Sequence, residues 1–466
     1  MLQKIKVLHP GDKTVALLLG KQTAPENPAE LLRPSRFVFY VFAGNGYALF
    51  HTLTKKTVLV APALIRFFLG GGYTLEELRA QGAEELFEDC FIVRDSADEY
   101  RDYREVRDIY LKKLLNKGQI ERYVILPLTA CNARCVYCYE ETLTNQALTM
   151  TDEIQDRLIS FIRAHAPKSK PVLIQWFGGE PLCGSQRIDK ICQALTEAGI
   201  PFLSTMVTNG SLFSAALSEK AARDWKLEEA QITLDGTKAE YEKRKRYLPG
   251  LSSPFETVIQ NIHHLLSAGI HVTIRLNADM ENLGDLFACA DFLSEEFSEQ
   301  EKRGIRVYAH ELFSCDWDTE MLDALLERLE ELNLYIARRF PSGRKAGEEK
   351  KTHRFDPMIC MANPAGNTVV VAPDGRLFAC EHMPEELALG SLEDGIDLGR
   401  LKAIREERSG ESPCASCAFL PICSDFDRCP SRIPWPHCQR KKEREMKYRM
   451  VAYLQGGRSR VSDPGC

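Results

Sequence analysis

Cys131, Cys135 and Cys138 lie within the stretch Leu126-Pro-Leu-Thr-Ala-Cys-Asn-Ala-Arg-Cys-Val-Tyr-Cys-Tyr-Glu-Glu141, directly after the β-branched and apolar run Tyr123-Val-Ile-Leu126. That run reads as a strand, which puts the cysteines on a loop at its C-terminal end. The C-x3-C-x2-C spacing offers three thiolates from one short loop. Three thiolates are enough for three irons of a [4Fe–4S] cube, and the fourth iron is then open to chelate a small molecule. Half of a zinc site, or three structural cysteines, is the competing reading. A metal loop at a strand end constrains the fold strongly, because (β/α) barrels put their chemistry at the C-terminal ends of their strands.

From Tyr123 onward the pattern alternates strand and helix. Strands are expected at 123–126, 172–177, 202–207, 230–234, 272–276 and 305–310, with helices such as 151–165 and 254–268 between them. Six strands with five crossovers imply a parallel sheet. A Rossmann-like open sheet competes, but no G-x-G-x-x-G follows the first strand. The second strand ends in Gly178-Gly-Glu-Pro181, the third in Thr205-Met-Val-Thr-Asn209-Gly210 and the fourth in Thr233-Leu-Asp235-Gly236, and a basic run Lys243-Arg-Lys-Arg246 follows.

With the cysteine loop, this order of motifs resembles the radical SAM superfamily and its partial (β/α)6 TIM barrel. The resemblance implies a cube on Cys131, Cys135 and Cys138 and a pocket for S-adenosylmethionine. In that pocket Gly178, Gly179, Glu180 and Pro181 would take the methionyl amino group, and Thr205 and Asn209 the ribose. Asp235 would stand at the cavity rim and Tyr137 at the adenine, with a packing role for Tyr137 as the alternative. Arg244, Lys245 and Arg246 compete for the cofactor carboxylate, with Arg244 favoured, and the same run reads equally as a solvated helix face. The implied chemistry is reductive cleavage to a 5′-deoxyadenosyl radical that abstracts hydrogen, the cofactor carrying the hard step.

The 16 cysteines of the 466-residue chain need explaining. The first eleven residues lack the apolar core of a signal peptide, and no apolar run reaches spanning length. A cytoplasmic protein is expected, without membrane contact, so the cysteines point to metal or redox chemistry rather than disulfides. A net charge of −6 gives no basic footprint for nucleic acid.

Seven cysteines form a second group: Cys360, Cys380, Cys414, Cys417, Cys423, Cys429 and Cys438. This array resembles the SPASM domain, which implies two auxiliary [4Fe–4S] clusters and three in all. Cys414, Cys417, Cys423 and Cys438 would hold the distal cluster, and Cys360, Cys380 and Cys429 the nearer one. Five residues separate Cys423 from Cys429, where the usual spacing is three. No cysteine lies just upstream of Cys360, so the nearer cluster has an open iron or borrows Cys315. Two zinc sites are the alternative.

The organisation expected is an irregular lead-in (1–34), a small α+β unit (35–95), a linker helix (96–120), the barrel (121–318), a bridging helix and linker (319–355), the cysteine-rich domain (356–440) and a C-terminal helix and tail (441–466). The unit at 35–95 shows a hairpin, a third strand Thr57–Val60 and the capping box Thr74-Leu-Glu-Glu77. It resembles the winged-helix-like domain that captures a leader peptide as an added strand on peptide-modifying enzymes. A structural cap or dimerisation module is the alternative.

The function expected from these resemblances is maturation of a ribosomally synthesised precursor peptide with a leader, most directly by a Cys thioether. An electron donor such as flavodoxin or ferredoxin would supply the reducing electron. Formylglycine formation of the anaerobic sulfatase-maturase type, carbon–carbon cross-linking or epimerisation, and a non-catalytic iron–sulfur or zinc protein are the other readings.

Overall fold

The computed structural model describes residues 4–20, 22–115, 119–138, 148–250, 253–312, 318–340, 367–382, 385–406, 413–423 and 433–454. Its largest element is a ten-stranded sheet of order β12-β11-β10-β9-β8-β7-β13-β14-β15-β16. Strands β7 (Arg122–Ile125), β8 (Val172–Trp176), β9 (Phe202–Thr208), β10 (Leu227–Leu234), β11 (His271–Ala278) and β12 (Ile305–Glu311) run parallel. Each expected barrel strand is found within three residues of its anticipated ends. Period-two burial makes them strands: in β9, Phe202, Ser204, Met206 and Thr208 are buried while Leu203 and Thr205 are exposed.

The buried rows pack under helices on one face, and the other row faces a lumen. Among those helices, Asp152–His165 is capped by Thr151, whose hydroxyl accepts the Ile154 N–H, and buries Leu158, Phe161 and Ile162. Pro254–Ser267 opens with proline in its first turn, where no N–H is needed. Trp176 and Trp225 are among the largest fully buried side chains, and each contributes roughly 1.5–3 kcal/mol or more of burial free energy.

The sheet continues past the expected barrel. Strand β13 (Thr368–Val371) pairs parallel to β7, with Val371 opposite Ile125, and β14 (Arg376–Phe378) returns antiparallel. The short β15 (Gly390–Ser391) and β16 (Gly395–Ile396) complete it. The expected boundary between barrel and cysteine-rich domain is therefore corrected: the hairpin around Gly375 extends the barrel sheet. The Thr-Val-Val-Val run of β13 is buried at every position, as a strand flanked on both sides must be.

The N-terminal region builds its own sheet, of order β1-β5-β4-β3. It contains β1 (Ile5–His9), β3 (Val38–Phe42), β4 (Tyr47–His51) and β5 (Thr57–Val60), while β2 (Leu32–Pro34) pairs with β6 (Ile92–Arg94). The irregular lead-in expected for residues 1–34 is thus corrected. Ile5 lies opposite Val60 and Val7 opposite Val58, and a helix Lys13–Leu19 is capped by Asp12. Strand-forming character at 5–9 was hidden by the prolines and glycine around it. The capping box at Thr74 and Glu77 is formed, and a 3-10 helix spans Pro62–Phe68.

This sheet is not a free module. Phe39, Val41, Ala48 and Phe50 form one cluster with Phe419 and Met450. Phe37, Leu53, Tyr103 and Val15 form another with Leu420. The Arg36 guanidinium donates to the Ala415 carbonyl (2.6 Å) and the Thr52 hydroxyl to the Ala418 carbonyl (2.6 Å). The linker helix, Glu99–Leu115, lies against the same turns through Tyr103. Among the described residues no helix is long and apolar enough to cross a membrane.

Candidate active site

The cysteine loop begins where β7 ends and is held from three sides. Gly178 has φ +122°, and a Cβ there would stand 2.4 Å from the Leu128 carbonyl oxygen; a Cβ at Gly179 would stand 2.3 Å from that of Thr129. Only glycine permits this approach of backbone to backbone. The Glu180 N–H donates to the Ala130 carbonyl (2.9 Å), which locks the two loops together. On the other side Arg134 N–H donates to Arg246 O (2.9 Å), Val136 N–H to Arg244 O (3.0 Å) and Leu248 N–H to Asn132 O (2.9 Å).

Glu180 is 0% exposed and saturated by the protein. Its carboxylate accepts from Leu182 N–H (3.1 Å), the Thr208 hydroxyl (2.8 Å) and Asn209 N–H (2.8 Å). Burial pushes its pKa up, and these donors oppose the shift. The Asn209 side chain donates to Asn132 of the cysteine loop (2.8 Å) and accepts from Ser211 (2.6 Å to the hydroxyl). Glu180, Asn209 and the loop are therefore one hydrogen-bonded unit at the C-terminal ends of β7, β8 and β9. Pro181 follows as the buried start of a short 3-10 turn.

Tyr137 and Asp235 meet in a second buried group. The Tyr137 hydroxyl donates to Asp235 (2.7 and 2.8 Å to its two oxygens), and Asn277 donates to both residues (3.2 and 3.1 Å). Lys245 donates to the Tyr137 hydroxyl (3.0 Å) and to Thr233 (2.6 Å), with its ammonium 3.6 Å from Asp235. Burial works against the lysine charge, but Asp235 holds its pKa well above the ordinary range. Arg244 is spent elsewhere, on Asp279, Glu240 and Glu281.

Helix Lys238–Lys245 buries both Arg244 and Lys245 at its end, with their charged groups 5.8 and 5.6 Å from the centre of the Tyr137 ring, and of the two it is Lys245 that is hydrogen-bonded to Tyr137 and paired with Asp235. Thr205 does not join Asn209. It is exposed in the middle of β9, four residues and roughly 13 Å earlier at the usual strand rise. Asn132, Thr208 and Asn277 are the residues sequence reasoning missed. Asn277, the penultimate residue of its strand and pointing to the same face as Arg275, was the detectable one.

The donor set fits an iron–sulfur group. Cys131, Cys135 and Cys138 are partly exposed, and Cys131 Sγ accepts the Ala133 N–H (3.4 Å). Burial pushes the Cys131 thiol up to about 12 and raises that of Cys135, so positive metal charge is what would make them thiolates. Among the described residues no three His, Cys, Asp or Glu side chains surround a single metal position, whereas a cube asks each thiol to meet a different iron.

Cys380 is buried just after β14 and accepts from the His382 N–H (3.5 Å). Because β14 runs back along β13, Cys380 lies at the end of the sheet opposite the cysteine loop. Cys414 and Cys417 share one turn against the N-terminal sheet, and Cys438 lies against Leu322 and Leu326. Cys360, Cys429 and Cys315 lie outside the described residues.

Residues 125–293 match the Radical SAM superfamily. The matched segment runs from the end of β7 into the helix after β11. The chain is 25% identical over 215 residues to the Fe-coproporphyrin III synthase of Methanosarcina barkeri (strain Fusaro / DSM 804), which covers 44% of this chain and 50% of that one. It is 22% identical over 328 residues to the serine-type anaerobic sulfatase-maturating enzyme of Klebsiella aerogenes, covering 65% of this chain and 78% of that one. The chain thus spans half the length of the first relative. Among solved structures, native anSMEcpe with bound AdoMet shares the fold with a TM-score of 0.54 at 15% identity, covering 72% of this chain and 99% of that one. The matched segment contains the cysteine loop, the Gly178–Pro181 loop, Asn209, Asp235 and Lys245.

Proposed function

We propose that the protein matures a ribosomally synthesised precursor peptide, forming a thioether between a cysteine and a carbon of the same peptide. The observation that carries this reading is the joining of the cysteine loop, Glu180 and Asn209 into one unit above a polar lumen, with a second cysteine, Cys380, at the lumen's far end. When bound, the cluster and S-adenosylmethionine supply a 5′-deoxyadenosyl radical that takes one hydrogen atom from the peptide. Cys131, Cys135 and Cys138 would hold the iron, and the Gly178–Pro181 loop, Asn209 and Asp235 would border the cofactor. Arg244 or Lys245, both buried beside Tyr137, would receive its carboxylate.

In this reading Cys360, Cys380, Cys414, Cys417, Cys423, Cys429 and Cys438 would hold two auxiliary clusters, which would supply an acceptor for the electron left when the carbon–sulfur bond forms and the thiol proton departs. The thioether therefore leaves the peptide two hydrogens lighter. The N-terminal sheet is read as the leader-binding unit, with the backbone of its edge strands as the docking surface. Holding the leader would convert a weak encounter at the lumen into an intramolecular one.

The similarity to a serine-type sulfatase-maturating enzyme favours a second reading, oxidation of a Ser or Cys in a protein to an aldehyde. The two are separated by one anaerobic experiment with reconstituted, dithionite-reduced protein, S-adenosylmethionine and the peptide encoded beside the gene. Loss of two hydrogens, with 5′-deoxyadenosine formed and a cysteine no longer alkylated, is the expected mass-spectrometric result. A product that reacts with a hydrazide instead supports aldehyde formation. Absence of 5′-deoxyadenosine from protein with full iron content defeats both.

A further inference from the structure

Arg275 stands on the lumen face of β11 with no counter-ion among the described residues. Register places it between Thr233 of β10 and Tyr308 of β12. One guanidinium nitrogen lies 3.3 Å from His310 Nδ1 and 3.4 Å from the Glu311 carbonyl, both long contacts, and its Nε–H is buried with no partner. The carboxylates on neighbouring strands are held by other groups, although the second oxygen of Glu311 is buried without a hydrogen-bond partner. Glu311 is paired with Lys441 and faces His310, Asp235 serves Tyr137, Asn277 and Lys245, and Glu229 accepts from Thr273 (2.5 Å). Glu381, beside Cys380, lies 3.9 Å from His382. Among the described residues no carboxylate is within ion-pair distance of Arg275.

A charge withdrawn from water is unfavourable unless a partner of opposite sign meets it. A planar guanidinium in particular presents two parallel donors that match a carboxylate. The position is also informative. Thr233, next to Arg275, is bonded to Lys245, which touches Tyr137 of the cysteine loop. On the other side, Arg275 lies within electrostatic reach of His382, two residues after Cys380. Arg275 therefore lies between the cysteine loop and Cys380, where a substrate has to sit.

We propose that Arg275 anchors a carboxylate of the substrate peptide, with Tyr308, whose hydroxyl donates to Gln231 (3.2 Å), as the neutral wall beside it. The inference rests on the peptide reading above and narrows it. The peptide presents an acidic side chain, or its own C-terminus, near the residue that loses hydrogen.

The test uses the reconstituted full chain with S-adenosylmethionine bound and three small probes, followed by ligand-observed NMR. N-acetylglutamate N-methylamide carries a side-chain acid, N-acetylalanine a terminal acid, and N-acetylglutamine N-methylamide neither. At least one acid is expected to bind about tenfold more tightly than the neutral amide, and which one identifies the source of the carboxylate. Arg275→Met is expected to abolish that preference and Arg275→Lys to retain part of it, with iron content and S-adenosylmethionine binding unchanged. Should the methionine variant fail to hold iron, Arg275→Gln takes its place. Equal binding of acids and amide, no binding of either acid at about 20 mM, or a preference that survives in Arg275→Met overturns the proposal. Failure of the peptide reading would show separately, as an unmodified peptide in the mass-spectrometric assay.

Discussion

The two large sheets of this molecule bury their apolar faces by opposite means. The ten-stranded sheet covers its apolar rows with helices that are its own neighbours in sequence, and turns Gln175, Gln231 and Arg275 to the lumen. The four-stranded N-terminal sheet covers Phe39, Val41 and Phe50 with Phe419 and Met450. One bond across that junction, from Arg36 to Ala415, spans 379 residues. Local βα units can form one after another, whereas the N-terminal sheet has to wait for the last quarter of the chain. The barrel sheet thus covers its apolar rows with its own helices, and the N-terminal unit is a clamp on the turn that carries Cys414 and Cys417.

The sharpest way to break this contrast is Phe419→Ala. Phe419 is buried and its ring lies 5.5 Å from that of Phe39, so its loss is expected to cost about 3–5 kcal/mol at the junction. Hydrogen exchange should rise across residues 38–60 and stay unchanged in β8 to β11. Equal loosening of both sheets would show that they fold as one unit.

A second effect separates the sheets by pH. His51 is fully buried between Phe37 and Phe91, and burial, opposed by Glu99, lowers its pKa to about 4. In the unfolded chain it titrates near 6.5, so between those values the unfolded state binds the extra proton. Stability therefore falls as pH drops from about 6.5 toward 4, by at most about 3 kcal/mol. Urea unfolding at pH 7 and pH 5 measures this, and His51→Gln should flatten it for the N-terminal sheet. His310, lowered to about 4 by burial, should leave a similar dependence in the barrel.

Gly179→Ala acts on the barrel side alone. A methyl group 2.3 Å from a backbone oxygen must push the cysteine loop away, at roughly 1–3 kcal/mol. Iron bound at the first cysteine group should drop, while the N-terminal sheet keeps its exchange protection. The smallest effect is Thr52→Val, which removes the bond to Ala418 and is expected to cost about 1 kcal/mol. Denaturant midpoints would show it only if the clamp unfolds together with the N-terminal sheet.

Much of the site was legible before any coordinates. The six barrel strands could be placed because alternation of buried and exposed residues is a local property. The cysteine loop and Gly178-Gly-Glu-Pro181 could be read because their chemistry depends on short spacing. Lys245 could not be separated from Arg244 by pattern, since both side chains turn out buried and what differs is their partners, Asp279 for Arg244 and Asp235 for Lys245, which lie just past the ends of other strands. Strand β1 was missed because its pairing partner, β5, lies some fifty residues away and nothing local announces the match.

What the sequence determined by itself was the parallel βα alternation, the cysteine loop at the first strand end and the motifs at the next three. Tertiary structure alone decided that β13 joins the barrel sheet, that the N-terminal sheet rests on Phe419, and that Arg275 is half-buried on the lumen face with no carboxylate within ion-pair distance among the described residues. Each of these depends on contacts between segments far apart in the chain, and such contacts are selected by the burial of whole faces. No short window of residues encodes that selection.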